Sequence, residues 1–183
     1  MFHESALLRR FDEGLAHGIL SPRRKGRRAM DNLQSEFGPI RKPAPAHLWA
    51  VGVISLLWNS FGCVDYTMTK LDPVGYLASM NMGPTEVAYM QAMPVWFNAF
   101  WALGVWGSLA GSVLLLLRSR HAVTVFALAL LGLLVTQLYQ FFGPPMPPAM
   151  ATPAMYGMTA VIWASMAFFL WYARKMAVQG VLR

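Results

Sequence analysis

The stretch LLWNSFGCVDYTMTK, residues 56–70, begins as a plain apolar run and then takes in Asn59, Ser60, Asp65, Tyr66 and Thr69 before Lys70. An amide, a carboxylate, a phenol and hydroxyls along one short apolar segment offer hydrogen-bonding chemistry: a donor and acceptor set that can grip a polar ligand or join helices. No catalytic constellation accompanies them. There is no Ser-His-Asp set, no HExxH and no glycine-rich phosphate loop, so a non-enzymatic role is expected. The one cysteine, Cys63, excludes an intrachain disulfide and a thiolate cluster. His3, His17, His47 and His121 lie in the tail or at the ends of apolar runs, unlike facing haem ligands, and no cofactor is expected.

The elements that must position these residues are membrane spans. Of the 183 residues, 56% are hydrophobic and 13% charged, about half the charge of a soluble domain. Four runs reach the roughly 20 residues a bilayer demands, at about 48–68, 95–117, 122–142 and 154–173. They are apolar all round and leave no face for water. The expected fold is an all-α membrane protein with four transmembrane helices in an antiparallel bundle, flanked by an N-terminal tail (1–46) and a C-terminal tail (176–183). In the loop after the first span, Asp72-Pro73 reads as a turn. Gly83-Pro84 followed by TEVAYMQAM reads as a short surface helix with Glu86 in its first turn. GPPMPPAM, residues 143–150, reads as a stiff polyproline-like link.

Charge sets the direction. Arg9, Arg10, Arg23, Arg24, Lys25, Arg27, Arg28, Arg41 and Lys42 precede the first span. Arg118 and Arg120 lie between the second and third, and Arg174, Lys175 and Arg183 follow the fourth. Every basic residue except Lys70 thus falls on one side, which predicts both termini in the cytoplasm of a bacterium and the protein in its inner membrane. The net charge of +7 is therefore a topology signal and not a nucleic-acid footprint, since no stacking or base-reading residues are interleaved with it. No secretory signal precedes the first span.

The tail 1–46 is expected to be largely disordered. Two features stand against that expectation: Leu7, Phe11, Leu15 and Ile19 at amphipathic-helix spacing, and SPRRKGRR (21–28), suited to anionic headgroups. A start at Met30 would remove the Arg-rich piece and keep all four spans.

With this topology Asn59 lies about 17 Å from Leu48, near mid-membrane, where an amide usually bonds to a neighbouring helix. Asp65, Tyr66, Thr69, Asn98, Gln137, Gln140 and Tyr156 collect at the outer ends of the spans, joined by Thr159. They are the candidate ligand-binding residues, facing outward as one polar cluster. Gly107 and Gly111 have GxxxG spacing, with Ser108 beside them and Gly104 extending the stripe. Small residues four apart let helix backbones approach, which serves packing inside one bundle or a homodimer through Gly107 and Gly111. Met68, Met80, Met82, Met90, Met93, Met146, Met150, Met155 and Met158 lie in or beside the outer loops. Thioethers suit Cu(I), and they equally fill irregular gaps at membrane edges.

WNSFGCVDYTMT (58–69), ALGVWGSLAGSVLLLLRSRHAV (102–123), FALALLGLL (126–134) and YQFFGPP (139–145) resemble a family of small, uncharacterised four-span inner-membrane proteins of proteobacteria. The resemblance covers roughly residues 47–175. It implies the four-span fold and assigns no functional residue. Some members are labelled sugar transporters, which makes an oligomeric small-solute transporter the second functional expectation. The first is a small membrane protein or accessory subunit that binds a partner, a lipid or a small ligand at its outer face. A methionine-based Cu(I) protein is the third.

Overall fold

The computed structural model describes residues 43–183, together with Gly26 and Asn32, which sit in helical backbone. The chain divides into two units at Lys42/Pro43, and the second is described here. The expectations for the tail up to Lys42, including its amphipathic helix and basic run, lie outside the described residues.

Residues 43–183 form six helices: α1 (Ala46–Leu71), α2 (Pro73–Ser79), α3 (Pro84–Gln91), α4 (Val95–Leu116), α5 (His121–Phe142) and α6 (Pro153–Val178). Among the described residues there is no strand. Four helices, α1, α4, α5 and α6, are long and apolar enough to cross a membrane. Their outward faces carry large apolar side chains in the open, such as Leu57 (68% exposed), Phe61 (66%), Trp106 (49%), Leu131 (46%) and Trp171 (55%). A surface of this kind on every long helix suits lipid and not water, and the chain is a multi-pass membrane protein. At 1.5 Å per residue the 26 residues of α1 and of α6 span about 39 Å, more than the hydrocarbon core of about 30 Å, so their ends reach the headgroups. That is why α6 runs past the expected limit at 173.

The breaks between helices follow turn chemistry. Pro73 disfavours helical backbone at Asp72 (φ −140°, ψ 71°), which stops α1. Asp72 then starts α2: its Oδ1 accepts the Gly75 N–H at 2.9 Å, and Pro73 takes the first helical position. A second short helix, α3, follows where the sequence suggests a helix. Glu86 Oε2 accepts the Gly83 N–H at 2.8 Å, half of a capping box, since Gly83 has no side chain to return the bond. Thr152 Oγ1 accepts the Met155 N–H to cap α6, again with Pro at the first position.

Three helices end alike. Asn81, Arg118 and Gly180 adopt positive φ (60°, 58° and 72°) after α2, α4 and α6. In each case the residue beyond bonds back to the carbonyl five earlier: Met82 to Leu77, Ser119 to Leu114 and Val181 to Met176. These are Schellman closures. After the third, Val181 and Leu182 turn into the core, and Arg183 exchanges backbone hydrogen bonds with Arg118 and Arg120. The expected C-terminal tail is thus helical to Val178 and packed beyond it. GPPMPPAM is also less extended than expected, for Met150 N–H bonds Pro147 O at 2.9 Å and folds the link into a turn.

The bundle is laced most tightly between α4 and α5, then between α1 and α4. Gly104, Gly107 and Gly111 face α5: a Cβ at Gly107 would stand 3.2 Å from that of Ala129, and one at Gly111 2.8 Å from the ring of Phe126. From the other side, a Cβ at Gly132 would stand 2.6 Å from Phe100 O and 2.8 Å from Gly104 N. Backbone meets backbone there, and only glycine leaves the room. The expected small-residue stripe is therefore occupied by α5 of the same chain. The apolar core gathers toward the end that carries Pro43 and Arg183: Leu48, Leu115, Phe126, Phe169 and Met176 are almost fully enclosed. Every buried residue of α6 lies from Met166 onward.

Candidate functional site

Two polar assemblies occupy the α1–α4 seam. The first sits mid-span. Asn59 is 5% exposed and its Nδ2 donates to Ser112 Oγ (2.9 Å), to Ser55 Oγ (3.3 Å) and to Ser108 O (3.3 Å). Ser55 and Ser112 hydroxyls bond each other at 2.6 Å. Ser55 and Asn59 lie one turn apart on α1, as Ser108 and Ser112 do on α4, so the four form one face-to-face lock. Asn59 and Ser108 thus pack helices, as their sequence positions suggest. One turn further, Cys63 Sγ donates to Val105 O at 3.3 Å and continues the seam.

The second assembly lies at the α2–α3 end of the bundle. Asp65 Oδ1 accepts the Tyr76 hydroxyl at 2.9 Å and ties α2 to α1. Burial, then the hydrogen bond to Asp65, then the charge of that carboxylate push the Tyr76 phenol up to about 12. Tyr76 therefore stays protonated and donates across the physiological range. Lys70 Nζ donates to Asn98 Oδ1 and stands 5.4 Å over the ring of Trp101. Tyr66 packs edge-on against the same ring at 4.9 Å. Asn98 Nδ2 reaches Met93 O at 3.4 Å and steadies the entry to α4. Thr69 Oγ1 donates to Asp65 O within its own helix.

The structure so brings four of the seven candidate ligand residues, Asp65, Tyr66, Thr69 and Asn98, to one seam. The other three are not joined to them. Gln137 and Gln140 are half-buried on α5 and bond no described residue, and Tyr156 is 60% exposed on α6. Thr159 bonds Met155 O in its own helix. Sequence reasoning missed Tyr76 and Lys70 as partners. The Asp72-Pro73 turn was legible, but how far it swings α2 back over Asp65 was not.

An aromatic wall borders this assembly. Trp101, Phe97, Tyr139 and Trp96 follow one another, with ring centroids 6.3 Å, 5.1 Å and 5.1 Å apart. Among the described residues no group of three His, Cys, Asp or Glu side chains converges for a metal ion.

No protein-family model, no curated protein and no solved structure matches this chain.

Proposed function

We propose that this chain is a non-enzymatic membrane protein, an accessory or binding subunit that works from its α2–α3 end, with that end outside and both termini in the cytoplasm of a bacterial inner membrane. Charge supports the orientation. In residues 43–183 the basic residues Arg118, Arg120, Arg174, Lys175 and Arg183 lie at one end. The acidic Asp65, Asp72 and Glu86 lie at the other with Lys70. Positive ends stay inside.

The observation that carries the reading is the division of labour along the α1–α4 seam. The mid-span polar groups bond to one another across the two helices and hold them shut. The midplane is where a transporter keeps its substrate site. The α2–α3 end instead gathers a carboxylate, an ammonium, an amide and an aromatic wall at the depth where lipid headgroups and extramembrane partners are met.

Native mass spectrometry of the full chain released from a mild detergent tests the reading. The expected result is a retained lipid, small molecule or stoichiometric protein that is weakened by Asp65→Ala and Asn98→Ala. A bare chain in both forms overturns it. The transporter reading makes a different prediction, solute flux across proteoliposomes that Asn59→Leu abolishes.

A further inference from the structure

At the end of the bundle opposite α2 and α3, the last residues form a strap across the α4–α5 turn. Arg118 turns the chain there with φ 58°. Its carbonyl accepts the Arg183 N–H at 2.8 Å, and the Arg120 N–H donates to Arg183 O at 2.5 Å. Arg118 Nε donates to Val181 O at 3.2 Å, across 63 positions of sequence. Val181 and Leu182 are each 5% exposed and sit in the core. Backbone bonds and apolar burial therefore fasten the strap, and the Arg183 side chain takes no part in it. The guanidinium groups of Arg120 and Arg183 bond no described residue, and both residues are exposed.

A topology signal asks only for positive charge in a loop. Here the fold goes further and sets two arginines from distant parts of the chain side by side. Like charges held together favour an anion beside them, and no carboxylate side chain of residues 43–183 answers, since Asp65, Asp72 and Glu86 lie at the other end. The α-carboxylate of Arg183 offsets only one of the five basic side chains at this end. A guanidinium is a planar fork that matches the oxygens of a phosphate two at a time. The depth selects the source of that phosphate. Lys175 Nζ stands 5.0 Å over the ring of Trp171, which is 55% exposed, a pairing suited to the headgroup level. On α4, Trp106, Val113 and Leu117 are 49%, 42% and 71% exposed, at spacings that share one helix face, and this apolar stripe runs up to the turn itself. A free anion has no use for such a stripe, whereas acyl chains do.

We propose that Arg120 and Arg183, brought together by the strap, bind the phosphate headgroup of an anionic phospholipid, its acyl chains lying along the exposed apolar face of α4. The site stands at the opposite end from Asp65 and Asn98 and is independent of the function proposed for the α2–α3 end.

The test titrates the full chain in dodecyl maltoside with phosphatidylglycerol and, separately, phosphatidylcholine, and counts bound lipid by native mass spectrometry. Saturable binding of phosphatidylglycerol in preference to phosphatidylcholine is expected. Arg120→Gln and Arg183→Gln should each weaken it about fivefold. Both keep the backbone bonds of the strap, so unfolding temperatures should stay near that of the parent. Arg174→Gln, at the same end but off the strap, should change it less than twofold. Equal losses in all three variants would mean general attraction to a basic surface and overturn the proposal, as would equal binding of the two lipids. Displacement by millimolar inorganic phosphate would assign the site to a free anion and overturn it too. Asp65→Ala should leave this lipid bound, and its loss there would move the lipid to the α2–α3 end and refute the assignment.

Discussion

Helix α4 meets its two neighbours by opposite means. Toward α5 it presents Gly104, Gly107 and Gly111, and the contact is backbone on backbone around Gly132. Toward α1 it presents Ser108 and Ser112, and the contact is a hydrogen-bonded lock around Asn59. In lipid neither seam gains from burying apolar surface, because the tails are as apolar as the side chains. Close approach supplies dispersion at the first seam, and satisfied polar groups supply the second. At Gly132 the glycine seam has no room for an added atom. At the serine seam several polar groups share the bonding, since Asn59 Nδ2 reaches three acceptors.

The largest effect should come from Gly132→Ala, which drives a methyl into Phe100 O and Gly104 N. About 3 kcal/mol of destabilisation is expected, the upper range for overpacking, read from reversible unfolding in mixed micelles. A change below about 0.5 kcal/mol would mean that α4 and α5 do not touch there. Asn59→Leu should cost about 1.5 kcal/mol. A double-mutant cycle with Ser112→Ala should return a coupling of about 0.6 kcal/mol, and additive effects would dissolve the lock.

At the α2–α3 end, Tyr76→Phe leaves the Asp65 carboxylate without its donor and should cost about 1 kcal/mol. The loss should appear as faster amide exchange in α2 with α4 unchanged. The smallest effect is spectroscopic. Tyr76 holds its proton to about 12 against about 10 for a free phenol. Its folded value is raised, so its contribution to stability is complete below pH 10 and fades as pH climbs through 12. An absorbance titration of the folded protein should therefore show late-ionising tyrosines, Tyr76 and Tyr89 among them. Tyr76→Phe should remove one of them, and a uniform titration near 10 would refute both environments.

Much of the scaffold was legible because its signals are local. Continuous apolar runs marked four spans and Gly83-Pro84 marked one short helix, whereas Asp72-Pro73 read only as a turn and helix α2 was not foreseen. Gly180 adopts a left-handed closure of the kind glycine favours. Arg118 adopts the same closure without glycine, and nothing in its type announces that. Of the candidate site, Asn59 and the small-residue stripe could be read as packing elements, and Asp65, Tyr66, Thr69 and Asn98 as neighbours.

The sequence by itself determined that this chain carries four membrane spans, roughly where they lie, and which end holds the acids and which the basic side chains. Only the tertiary structure decided which helix each face meets. It seated the glycine stripe on α5 of the same chain, set Tyr76 on Asp65, left Gln137, Gln140 and Tyr156 apart from them, and enclosed the Tyr89 hydroxyl. Span length and turn chemistry depend on a few neighbouring residues. Lateral pairing depends on how each helix is rotated about its axis, and a helix apolar on every side carries almost no pattern to set that rotation. It is fixed by side chains meeting across tens of residues, such as Asn59 with Ser112 and Trp58 with Ser165.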